Sequence, residues 1–73
     1  MKIHQLLKKI NSANLIEVVD EKYRRLYYGR AKEMSTDEWK FLTSWIVLGI
    51  NSFLAEIGLN NFETCMQIIV KKS

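Results

Sequence analysis

Residues 35–58 read STDEWKFLTSWIVLGINSFLAEIG, and the fold turns on where the helix that opens this stretch stops. Ser35-Thr36-Asp37-Glu38 is a capping box: the Ser35 hydroxyl can accept from the Glu38 amide while the Glu38 carboxylate reaches back to the Ser35 amide. A helix therefore starts there. Trp39, Leu42, Ile46, Ile50, Phe53 and Ile57 follow at spacings of 3, 4, 4, 3 and 4, and Gly58 can close a C-cap, so one helix over 36–57 is consistent with the pattern. Against it, Thr43, Ser44, Gly49, Asn51 and Ser52 would lie in its interior at a summed propensity cost of about 3 kcal/mol relative to alanine. The competing reading ends the helix near Leu42 and makes 45–50, Trp-Ile-Val-Leu-Gly-Ile, a strand, because the run is aromatic and β-branched. Periodicity alone does not separate the two.

Upstream, Ile3, Leu6, Leu7 and Ile10 recur at i, i+3, i+4 and i+7 opposite Lys2, Gln5, Lys8 and Lys9, the pattern of a short amphipathic helix. Asn11-Ser12-Ala13-Asn14 ends it. Residues 15–19 (LIEVV) and 24–29 (RRLYYG), joined by the polar Asp20-Glu21-Lys22-Tyr23, predict a β-hairpin. Alternation along the strands puts Ile16, Val18, Leu26 and Tyr28 inward, and Glu17, Val19, Arg25 and Tyr27 on the other face. Downstream, Gly58-Leu59-Asn60-Asn61 is a turn and 65–70 (CMQIIV) a last strand, with a helix over 62–70 as the alternative.

At 73 residues, with no proline, internal repeat or linker, the chain is one small domain over 1–73. An apolar fraction of 48% with 26% charged residues excludes intrinsic disorder. No apolar run is long enough to span a membrane, and residues 1–10 lack a leader pattern. One cysteine, Cys65, leaves no partner for an intrachain disulfide and points to a reducing cytosol. The net charge of +3 is uneven: +3 over residues 1–12, +1 over 13–34 and −1 over 35–73. That balance permits nucleic-acid binding without pointing to it.

The chemistry of catalysis is missing from the pattern. His4, the one histidine, falls on the polar side of the first helix, and a general base there has no partner in the sequence. Cys65 could act as a nucleophile only if a nearby base or cation activated it, and an inert thiol is the expectation. No His/Cys/Asp/Glu set carries metal spacing, and three scattered glycines form no phosphate loop. No enzyme, cofactor or metal site is expected. The stretch that stands out is the hairpin, where Lys22, Tyr23, Arg24, Arg25, Tyr27 and Arg30 interleave cations with aromatics. A solvated hairpin with a cross-strand Glu17–Arg25 pair explains it blandly. A partner-binding surface explains it more sharply, because Tyr and Arg dominate binding hot spots.

The order of segments also resembles small proteins of phages and prophages of Gram-positive bacteria, a pool that includes anti-CRISPR inhibitors. The residues that carry the likeness are MKIxxLL at 1–7, IEVVD at 16–20, LYYGRAKEM at 26–34, VLGINS at 47–52 and MQIIV at 66–70. The resemblance implies an α+β fold and a non-enzymatic role, and it favours the strand at 45–50. The expectation is therefore a helix, a β-hairpin, a capped helix and two further strands in a small antiparallel sheet. Functionally the expectation is a phage- or mobile-element-encoded binding protein of the host cytosol that inhibits or modulates a host protein or ribonucleoprotein, such as a CRISPR effector or other defence component. The alternative is a small nucleic-acid-binding accessory protein using the hairpin and the first-helix lysines. Eight aromatic side chains are difficult to bury in 73 residues, so homodimerisation is a further expectation.

Overall fold

A computed structural model describes residues 1–72 of the chain. In order, it contains α1 (Ile3–Leu7), β1 (Leu15–Val19), β2 (Arg25–Arg30), a 3-10 turn (Ala31–Glu33), α2 (Thr36–Leu42), β3 (Ile46–Gly58) and β4 (Asn61–Lys71). This is the α+β layout with the short capped helix, and the long helix over 36–57 does not form. The capping box is made as the sequence predicts: the Glu38 amide donates to Ser35 Oγ at 3.1 Å, and the Ser35 amide donates to Glu38 Oε1 at 2.9 Å. Of the stripe that suggested a longer helix, only Leu42 is fully buried, at 1% exposure. Beyond it the chain turns at Thr43-Ser44 and enters β3.

The four strands form one sheet in the order β2-β1-β4-β3. β1 with β2 and β3 with β4 are antiparallel, whereas β1 and β4 run parallel, from Leu15 opposite Cys65 to Val19 opposite Ile69. The sheet is therefore mixed, a correction to the antiparallel expectation. Its cause is connectivity: the α2 crossover carries the chain past β1 to an outer position, and the β3–β4 hairpin then folds back so that β4 lies against β1. A parallel pair needs such a crossover.

Ile3 and Leu6 of α1, Leu42 and Trp45 pack against Ile16, Val18, Tyr27, Ile68 and Val70 on one face of the sheet. Side chains alternate faces, which sends Leu15, Glu17, Val19, Cys65 and Gln67 to the other side. A smaller cluster of Leu15, Ala55 and Cys65 is buried there. The residues 1–3 strap the start of β3: Lys2 bridges Ile46, the Ile3 amide donates to the Trp45 carbonyl and the Val47 amide to the Met1 carbonyl, both at 2.8 Å. No helix among the described residues is long and apolar enough to cross a membrane.

Two details of the hairpin depart from simple alternation. The register slips between Val18, opposite Tyr27, and Val19, opposite Arg25, so β2 carries one extra residue. Such a bulge turns two consecutive side chains to one face: Leu26 and Tyr27 both meet the core, and Tyr28 is sent outward. The expected places of Tyr27 and Tyr28 are thereby exchanged. Glu17 does sit on the face away from the helices, yet it is 7% exposed because Arg25 lies over it.

Candidate binding surface

Asp20 builds the hairpin turn. Its Oδ1 accepts from the backbone amides of Lys22 and Arg24, each at 2.9 Å, and its Oδ2 accepts from Arg24 Nε at 2.7 Å. The Asp20 carbonyl also receives the Tyr23 amide at 2.9 Å. An aspartate that satisfies amides two and four residues on replaces the backbone bonds a tighter turn would make. The Arg24 amide is the main cause holding the Asp20 carboxyl below its ordinary range, with partial burial opposing it.

The chain needs that scaffold because Tyr23 adopts φ = 61°. The left-handed region disfavours a side chain with a Cβ and a ring, by about 1–2 kcal/mol. Tyr23 is also 63% exposed, so no packing of its own ring holds it there. Beside it, the Arg24 side chain is 72% exposed while its Nε stays on Asp20. Arg25 is fixed too: Nε and Nη2 reach Glu17 Oε2 at 2.8 and 2.7 Å, and the guanidinium stacks 4.4 Å from the Tyr28 ring centre. Gln67 Nε2 completes the Glu17 carboxylate at 2.9 Å. The cross-strand Glu17–Arg25 pair read from the sequence is present. These cations are positioned by carboxylates, which lowers the entropy lost when a partner binds them.

Of the six hairpin residues proposed as a contact surface, Lys22, Tyr23, Arg24 and Arg25 are exposed together at the turn. Tyr27 is not among them. It is 7% exposed, donates from its hydroxyl to the Arg30 carbonyl at 2.6 Å, and has its phenol pushed up chiefly by burial. Arg30 is turned inward on the molecule, with Nη1 and Nη2 on Glu63 at 2.5 and 2.8 Å and Nη1 on the Ala13 carbonyl at 2.9 Å. It staples β2 to β4 across the start of β1, and Glu63 holds its pKa above the ordinary value.

The fold adds residues that no local pattern linked to the hairpin. Because β4 runs parallel to β1, its end arrives beside the turn, and Lys72 Nζ sits 5.8 Å from the Trp45 ring centre. Asp20, Glu21, Lys22, Arg24, Trp45 and Lys72 line a depression of about 370 Å³. Phe41, 53% exposed, packs at 57° to Trp45 with ring centres 5.5 Å apart. Lys40 and Ser44 extend the same basic, aromatic end. Elsewhere, Cys65 is fully buried and its thiol is pushed up, first by burial and then by Glu17, so it is held in the unreactive protonated form. Among the described residues, no group of three or more His, Cys, Asp and Glu side chains is placed to hold a metal ion.

No protein-family model, curated protein or solved structure matches this chain.

Proposed function

We propose that the chain is a non-enzymatic binding protein that docks a protein partner at the hairpin turn and, in keeping with its resemblance to small phage and prophage proteins, modulates a host macromolecule by occupying it. The observation that carries this reading is Tyr23: an exposed aromatic held in a strained backbone conformation by a dedicated aspartate, between Lys22 and Arg24. Strain of this kind persists where the surrounding structure over-determines it, and it gathers at binding sites. Exposed Tyr and Arg are the side chains that carry most of the energy in protein interfaces. A partner with carboxylates around a shallow apolar notch fits the cations, with the notch receiving Tyr23 or Phe41.

Arg24 and Arg25 already engage carboxylates of this chain, which reduces the charge they offer to any anion, phosphate or carboxylate, so the exposed Tyr23 rather than charge carries the preference for a protein partner. The test is a pull-down from bacterial lysate, with and without nuclease, using the wild type and a Tyr23→Gly, Arg25→Glu variant. A nuclease-resistant protein retained by the wild type and lost from the variant is the expected result. Recovery of nucleic acid alone, with affinity falling steeply in salt as released counterions require, retires the proposal in favour of the nucleic-acid reading.

A further inference from the structure

The two edges of the sheet are built differently. β2, one edge, is six residues long, carries Arg25 and Arg30, and is bulged; these features discourage further strand pairing. β3, the other edge, is 13 residues long, and Glu56 is its one charged residue. The strap formed by residues 1–3 pairs with this edge only at its start, around Ile46. From residue 48 to 58 the outer side of β3 faces no strand among the described residues. Its large apolar side chains are open beside the polar Asn51, Ser52 and Glu56: Leu48 is 50% exposed, Ile50 49%, Phe53 38%, Leu54 70% and Ile57 50%, with Leu59 at 88% in the turn beyond and Phe62 at 60% at the start of β4.

We propose that this edge is the interface of a symmetric homodimer, in which the 48–58 segments of two copies pair antiparallel about a two-fold axis and join two four-stranded sheets into one of eight. Four observations select a second copy as the occupant. An antiparallel strand pairs with itself without any second specificity, because a two-fold interface sets one patch against the same patch. Pairing centred near Ser52 and Phe53 brings apolar side chains of both copies together and leaves Glu56 of each away from its equivalent. A basic chain meets its copy along its least charged strip, so the net charge of +3 opposes association least there. The area suits a weak dimer: at about 200 Å² for a fully exposed large apolar residue, the five apolar side chains within 48–58 (Leu48, Ile50, Phe53, Leu54 and Ile57) leave roughly 500 Å² per chain, somewhat below the ~800 Å² each partner gives to a standard interface. The guarded β2 edge then stops growth at two copies, where an open second edge would allow filaments. The dimer leaves the hairpin turn free, since β2 and β3 are opposite edges of the sheet.

Sedimentation of the full chain from ~10 μM to ~1 mM, the range in which weak homodimers dissociate, should show conversion to a single species. That species should have twice the 8.6 kDa chain mass. Ile50→Lys with Leu54→Lys should raise the dimer Kd by about 100-fold or more while leaving the circular dichroism spectrum unchanged, since both positions are exposed in one chain. Should the double variant lose its fold, amide exchange on the wild type decides: protection over 48–58 that rises with concentration supports the dimer. A monomer throughout, a dimer insensitive to the folded variant, growth beyond two copies, or exchange over 48–58 that ignores concentration overturns it. None of these outcomes bears on the pull-down, which reads a different surface.

Discussion

At Asp20 one carboxylate determines the conformation of four residues, and its chemistry makes a pH signature. Asp20 and Glu63 both have folded pKa values below their ordinary 3.8 and 4.5, Asp20 chiefly through the Arg24 amide and Glu63 chiefly through Arg30. A group depressed on folding contributes stability that is complete above its unfolded pKa and is lost as pH falls through the folded value. Urea midpoints should therefore be level near neutrality and fall between pH ~5 and ~2. Asp20→Asn and Glu63→Gln should each flatten that fall, and an unchanged slope in both would remove the assignment. Tyr27 tests the core side of the same hairpin. Tyr27→Phe deletes the bond to the Arg30 carbonyl and should cost about 0.5–1.5 kcal/mol in urea denaturation. Tyr23→Gly should do the reverse, raising stability by up to about 1 kcal/mol through relief of the left-handed backbone while weakening partner capture. A glycine that destabilises would show that Tyr23 packs usefully in the free protein.

At the scale of elements, the cap of α2 and the bulge of β2 behave oppositely as signals. Ser35-x-x-Glu38 is legible because both halves of the capping box are local, and Ser35→Ala should cost about 1 kcal/mol, read as a shift in thermal midpoint. The end of α2 was legible only in part, because the poor helix formers at 43, 44, 49, 51 and 52 opposed a helix over 36–57 while the apolar spacing favoured it, and the length of β3 was not legible. Asn51-Ser52 resembles a turn on propensity, and it is extended here because every residue from 49 to 56 has a partner on β4. The bulge left no local trace that separates Tyr27 from Tyr28, since both fit either face until the register across β1 is known. Gly29 is the one clue. It sits at φ = 150°, where a Cβ would come within 3.0 Å of the Tyr27 hydroxyl, so Gly29→Ala should destabilise by about 1–3 kcal/mol and disturb Tyr27 fluorescence.

For the molecule as a whole, order in sequence and order in the sheet disagree, and that is where pattern reading stops. Hairpins are neighbours in both, so β1 with β2 and β3 with β4 could be anticipated. The meeting of Val19 with Ile69 could not, nor the arrival of Lys72 beside the hairpin turn and Trp45. Half of the candidate surface was thus readable, its Lys22–Arg25 part, and the half supplied by Phe41, Trp45 and Lys72 was not. The same arrangement has a consequence for biosynthesis. β4 is translated after β1, β2 and β3 and yet it is the inner strand on which both β1 and β3 depend, bringing Ile68 and Val70 to the core. While the ribosome still covers residues 61–71, the emerged β1–β2 hairpin and β3 share no common edge, and the core lacks one wall. A nascent chain stalled there should remain open to protease and become resistant only once residues 61–71 have left the ribosome, when β4 is threaded between two halves already waiting for it.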